Sequence, residues 1–446
     1  MLKKCFLVFF TGLISYQACA VKLASNNEGE ILIFPLLYAE SGQASLIRVQ
    51  NLSDQAMAAK AVVRHGIDGQ ILNSFNLYLA SNDSWSAAFF DTTGSGENFG
   101  LVTRDSSCID AAFDGVIADG TPIIPIGSGQ AWLELFAMGA LSDEAIAPLT
   151  IDPKTREDLC DTSINPDELN LLPLSNPLSG NLQMIDVLKG FSFSIPVTAL
   201  NDFGLSSQSS TLGNQIPSLA DAEPAQAVIA NTTFDFATGL DAVNAALSAS
   251  ELKTPYSVER FVDGRTDLIL TFPTRHLSED SASGPFIVNT DPDHAESGQQ
   301  LFAESISPQG ERFGLLDTEF VSKCTPPPPP LTKFGPVVSQ SQLSIWVNGG
   351  GSPTFELADT EPATVVSPLI STCGPFLTDN LGFDQGLYRL IFSAFETRAL
   401  DGTRFGGLPV IPLSISTATN GTLLGNNGND VLSSYGWLNQ VQIERE

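Results

Sequence analysis

The chain is poor in the residues on which metal centres, nucleic-acid surfaces and membrane spans depend. Histidine occurs three times, at His65, His276 and His294, on separate stretches and without an H-E-x-x-H arrangement, so no histidine-built metal centre is expected. Lysine and arginine number 21 against 50 acidic residues, giving a formal net charge of −29. A field of that sign repels phosphate backbones, which excludes nucleic acid and anionic lipid as expected partners. Charged residues of both signs make up only 16% of the chain. The surface must then be built largely from Ser, Thr, Asn, Gln and Gly. Beyond the first twenty residues no apolar run approaches the roughly twenty residues that a membrane-spanning helix needs. Complete catalytic motifs are missing too. There is no G-x-S-x-G elbow and no papain-like cysteine signature, and the single S-x-x-K, Ser250 to Lys253, lacks its S-D-N and K-T-G partners. Carboxylates are so numerous that candidate pairs for glycoside hydrolysis carry no information. The expectation is a non-enzymatic protein without a required cofactor.

What is present begins at the N-terminus. Lys3 and Lys4 precede the apolar residues 5–14, and Ala18-Cys19-Ala20 closes the run. A charged n-region, a short h-region and an A-x-A site read as a signal peptide over residues 1–20, with the mature chain starting at Val21. Loss of the two lysines takes the charge from −29 to −31. Export to the outer cell surface or the medium is expected, with the periplasm as the alternative. Lipidation at Cys19 is not expected, because Tyr16-Gln17-Ala18 lacks the aliphatic residue that should stand three positions before the cysteine. Removing Cys5 and Cys19 leaves Cys108, Cys160, Cys324 and Cys373, an even set that in an exported chain implies two disulfides. Of the three connectivities, the sequential one closes two loops of similar length; the others remain open. No C-x-x-C spacing supports zinc.

The hydrophobic content of 43% supports full-sized cores. Short alternating runs at 31–37, 45–50, 59–64, 71–79, 84–90, 99–103 and 131–138, separated by Gly, Asn and Asp turns, predict antiparallel strands. Residues 108–127 and 142–180 lack periodicity and read as long loops. A second strand set follows at 191–197, 266–272, 284–288, 342–347, 387–393, 408–415 and 438–443. One helix is expected over 239–252, where Leu240, Val243 and Leu247 recur at helical spacing, and it should pack on a sheet. The predicted fold is mainly β: two immunoglobulin-like antiparallel sandwiches, residues 21–180 and 181–446, with long loops and one short helix. A Pro-rich loop at 324–331 contains five consecutive prolines, a stiff polyproline II segment of about 15 Å.

Two segments carry weak Ca²⁺ signals. Asp291 and Asp293 lie in an acidic loop without the glycine and distal glutamate of an EF-hand. Asp430 closes a single approximate copy of the G-G-x-G-x-D-x-U repeat, whose simpler reading is a Gly/Asn-rich hairpin turn. Trp85, Trp132, Trp346 and Trp437 lie in or beside strand runs, where buried core positions compete with exposed sugar-stacking ones.

Several segments are shared in pattern with a known group: Glu30-Ile31-Leu32-Ile33-Phe34-Pro35, Leu46-Ile47-Arg48-Val49-Gln50-Asn51, Phe75-Asn76-Leu77-Tyr78-Leu79 with Asp83 and Trp85, and Gly407-Leu408-Pro409-Val410-Ile411. Together they resemble exported, largely uncharacterised β-rich proteins of Gram-negative bacteria. The resemblance implies a shared architecture and assigns no site residue. The expected function is that of a secreted or cell-surface structural or adhesive protein. Its partner would be another protein or a second copy, through strand edges such as 30–37 or 438–443. A carbohydrate- or calcium-dependent binding module and a glycan-processing enzyme are the alternatives.

Overall fold

A computed structural model describes residues 20–39, 42–66, 69–141, 171–204, 217–223, 225–257, 264–277, 301–306, 308–309, 312–321, 343–348, 354–357, 376–377, 385–392, 396–424 and 430–445. The fold is mainly β, with several antiparallel sheets and one α-helix.

Two large sheets face each other across the first core. One, of eight strands, runs in the order Lys22–Leu23, Thr198–Asn201, Ile31–Tyr38, Gln130–Leu141, Met57–His65, Ile71–Leu79, Cys108–Asp110, with Leu171–Leu172 pairing beside Gln130–Leu141. The other runs Ile123–Pro125, Phe99–Val102, Ser84–Asp91, Gln43–Asn51, Leu178–Asp186, Phe191–Ile195, with Glu28–Gly29 beside Leu178–Asp186. The two-residue period explains the core. In Met57–His65, Met57, Ala59, Ala61 and Val63 meet Ile47, Val49, Trp85 and Phe89 of the opposite sheet. The alternate positions Ala58, Lys60, Val62 and Arg64 are buried as well. Something must therefore cover the back of this sheet. Over Val62 that cover is the helix Gly239–Leu247, whose Ala242, Val243, Ala246 and Leu247 pack with Ile31, Ile33, Val62, Trp132 and Phe136, while Ala58 packs with Tyr78, Cys108, Met138, Leu141 and Leu171.

Several expectations change. The stretch 30–37 is no edge: Ile31–Tyr38 lies inside its sheet, between Thr198–Asn201 and Gln130–Leu141. The helix ends at Leu247 rather than at 252. Ser248 adopts extended angles, its N–H bonds to Ala245 O and its Oγ donates to Asn244 O at 2.8 Å, closing the last turn; Glu251–Ser257 then continues as a strand. Residues 108–127, expected as loop, contain the short strands Cys108–Asp110 and Ile123–Pro125. Leu178–Asp186 runs through residue 180 and pairs with Gln43–Asn51, so the first pair of sheets draws strands as far as Asn201.

Later residues form a six-stranded sheet, in the order Thr354–Leu357, Arg312–Val321, Leu301–Ile306, Gln385–Ile391, Glu251–Ser257, Gln442–Glu444. A five-stranded sheet runs Phe376–Leu377, Leu343–Asn348, Gly264–Thr271, Ile411–Leu424, Asp430–Asn439. One pair in it is parallel, Gly264–Thr271 with Leu343–Asn348. One face of the five-stranded sheet reaches the core of the first two sheets. Its Ile269, Leu413 and Ile415 join the cluster of the first two sheets, and Thr271 Oγ1 donates to Pro35 O at 2.7 Å.

Candidate functional site

The seam between the first two sheets and the five-stranded sheet holds a cleft of about 230 Å³. Its floor is apolar, from Leu36, Met184, Ile269 and Ile415, because these are inward positions of four strands that converge there. Phe191 and Phe193 form one wall, their rings stacked with centroids 6.1 Å apart. Polar groups stand around them: Gln43, Lys189, Arg265, Asp267 and Thr417. Two are held in place. Arg265 forms a fork with Asp267 Oδ1, at 2.8 Å from Nε and 2.7 Å from Nη2. Gln43 Nε2 donates to Asp186 Oδ2 at 3.1 Å, and the other oxygen of that carboxylate accepts the Lys189 N–H at 2.8 Å. The cleft is smaller than the roughly 300–1,000 Å³ of drug-sized sites. It can take one side chain or one ring of a larger partner.

Beside the cleft runs Asp430–Asn439, the terminal strand of the five-stranded sheet. It pairs with Ile411–Leu424 on one side and with no strand on the other among the described residues. Gly436 faces the two rings of the cleft wall: a Cβ there would come within 2.8 Å of both Phe191 and Phe193, so only glycine lets these rings lie against the strand. The opposite face presents Tyr435 and Trp437, 56% and 42% exposed. Trp437 Nε1 donates to Asn439 Oδ1 at 3.1 Å, and Asn439 Nδ2 in turn donates to Ser414 Oγ and Ser416 Oγ at 3.0 and 2.7 Å. This chain fixes the indole on a polar ladder. The two rings stand two residues apart on one face, an exposed aromatic pair on the terminal strand of the sheet.

The residues singled out from the sequence distribute as follows. Cys108 is buried at the edge of the eight-stranded sheet, while Cys160, Cys324 and Cys373 lie outside the described residues. Asp291, Asp293, the prolines of 324–331 and residues 1–19 lie outside them too. Asp430 opens its strand opposite Leu424. Among the described residues no group of three or more His, Cys, Asp or Glu could hold a metal ion, and no helix is long and apolar enough to cross a membrane. Trp85 and Trp132 are fully buried, and Trp132 Nε1 donates to Glu134 Oε1 at 3.2 Å inside the fold. Neither offers a sugar platform. Sequence reasoning named Trp437 but missed Tyr435 and the cleft. The alternation of Tyr435 and Trp437 about Gly436 was the available signal; the approach of Phe191 and Phe193 leaves no local trace.

No protein-family model matches the chain, and no curated protein matches it.

Proposed function

We propose that the protein is a non-enzymatic structural or adhesive component, exported by its N-terminal signal, that associates with a second copy through strand addition at Asp430–Asn439. The observation that carries this is the ten-residue edge strand with exposed Tyr435 and Trp437. Unpaired N–H and C=O groups on a long edge are a template for another strand, and charged residues or proline normally blunt such edges. Here Asp430 is the one charged residue of the strand, and the rings of Tyr435 and Trp437 stand along the rest. The adjacent cleft, with its apolar floor and the Arg265–Asp267 fork, supplies a pocket for a side chain of the incoming strand. The immunoglobulin-like two-sandwich arrangement and the pairing of Cys108, Cys160, Cys324 and Cys373 into two disulfides belong to the same proposal. An exported chain with 16% charged residues is consistent with both.

Sizing and electron microscopy of the purified mature protein test the proposal. Assembly in the wild type should be lost when Tyr435→Lys and Trp437→Lys are combined, because like charges on an edge oppose pairing. Monomeric wild-type protein at all concentrations would sink it. A second reading, glycan binding, is favoured by the same pair of exposed rings. It predicts quenching of Trp437 fluorescence by an oligosaccharide, independent of assembly.

A further inference from the structure

The covered face of the eight-stranded sheet carries three polar side chains in one row. Lys60 on Met57–His65 stands directly opposite Asn76 on Ile71–Leu79, and Asn76 stands directly opposite Asp110 on Cys108–Asp110. Directly opposed residues share a face, with Cβ atoms roughly 4.5–5.5 Å apart. Lys60 and Asn76 are both 0% exposed and Asp110 is half-buried. Asn76 Nδ2 donates to Asp110 Oδ2 at 3.1 Å, which sets the carboxyl against the carboxamide. Phe136 is opposite Lys60 on its other side, Ala58 and Tyr78 lie one step along the strands, and Glu134 is one step from Phe136 on the same face, all buried.

We propose that Lys60 and Asn76 become joined by an intramolecular isopeptide bond, with Asp110 as the catalytic residue. The chemistry balances without a co-reactant. Burial pushes the Lys60 ammonium down to about 8, against the opposing pull of Asp110. On the order of a tenth of the chains therefore carry the unprotonated amine at neutral pH. The Nζ lone pair adds to Asn76 Cγ and forms the new C–N bond. Asp110 takes a proton from the attacking nitrogen and delivers it to Nδ2. The Cγ–Nδ2 bond then breaks and ammonia leaves. One amine and one primary carboxamide become one secondary amide and NH₃. The product replaces a group whose charge is costly to bury with a neutral amide, so burial of the site favours the linked state. The same row, read as a structural hydrogen-bond layer, would leave all three side chains intact. This inference stands on the row alone and does not rest on strand addition.

Intact-mass spectrometry of the purified, folded full-length chain decides it. The expected mass is about 17 Da below the sequence value after allowance for any removed signal and for disulfides. A protease digest should contain the Lys60 peptide covalently joined to the Asn76 peptide. Lys60→Arg and Asp110→Ala should each restore the missing mass. Succinimides at Asn348-Gly349, Asn420-Gly421 or Asn427-Gly428 would produce the same mass loss. They do not need Lys60, so a deficit that persists in Lys60→Arg overturns the proposal. Should either variant fail to fold, the wild-type digest is sufficient: linear Lys60 and Asn76 peptides without the joined species overturn it equally.

Discussion

At the scale of single residues, the interior of this protein is more polar than its apolar runs imply. Arg64 and Glu134 form a 2.7 Å ion pair with side chains 4% and 0% exposed, and Arg64 Nη1 also donates to Gly69 O at 3.1 Å. The imidazole of His276 lies near this pair, its ring centroid 6.2 Å from that of Trp132, and neither ring nitrogen has a hydrogen-bond partner among the described residues. Burial, reinforced by the Arg64 charge, holds the His276 pKa well below the ordinary value of 6.5. The sign follows from linkage. Below about pH 6.5 the unfolded chain binds a proton that the folded chain refuses, so stability falls as pH drops toward the depressed folded pKa. The loss is at most about 1.4 kcal/mol per pH unit from this group. Urea denaturation between pH 7 and 5 should therefore show a smaller decline for His276→Phe than for the wild type; equal declines would count against a buried neutral imidazole. None of this was legible in the sequence. Arg64 and Glu134 sit in alternating strands, but the cross-strand neighbours that bury them are seventy residues apart.

Secondary-structure elements were legible where local pattern carries them. Met57–His65, Ile71–Leu79 and Gln130–Leu141 show clear β-rich runs, and they form strands close to the expected bounds. Cys108–Asp110 and Ile123–Pro125 have three residues each, too few for alternation to register. The helix start was readable, and Thr238 caps it: Oγ1 accepts the Asp241 N–H at 3.1 Å and donates to the Asp241 carboxylate at 2.8 Å. Its end was not readable, because Leu252 prolongs an apolar pattern that now belongs to a strand. One glycine sets how the following elements meet. Gly407 has φ of +97°, and a Cβ there would lie 1.8 Å from Ala249 O, where Ser248–Ala249 pairs with Leu408–Pro409. Gly407→Ala should cost on the order of 1–3 kcal/mol, since it adds backbone strain and a clash together. A wild-type midpoint in chemical denaturation would refute that account.

For the whole molecule, the decisive feature is the contact between the five-stranded sheet and the first core. Ile269, Leu413 and Ile415 of the five-stranded sheet belong to the same cluster as Phe34, Trp85 and Leu135. The Thr271 to Pro35 bond crosses the same seam. Unfolding the later sheet would expose part of the first core. Tryptophan fluorescence, to which the buried Trp85 and Trp132 contribute, and far-ultraviolet circular dichroism should accordingly report one coincident urea transition. Two separated transitions would show that the seam couples the halves weakly. The sequence could not reveal this, because alternation identifies a strand without identifying its partner. The parallel pairing of Gly264–Thr271 with Leu343–Asn348, and the bridge from Val21 to Ala227, leave no short-range signal.

The placement of Leu178–Asp186 and Thr198–Asn201 bears on the order in which the chain can safely fold. Gln43–Asn51 is bordered by Leu178–Asp186, and Ile31–Tyr38 by Thr198–Asn201. While only the first 141 residues have emerged, both early strands have an unsatisfied side, and each is a template for a neighbouring nascent chain. Completion waits for residues synthesised much later, a high-contact-order closure that is intrinsically slow. Keeping the chain extended until residue 201 is available would therefore protect it, which makes delayed folding an advantage of this topology.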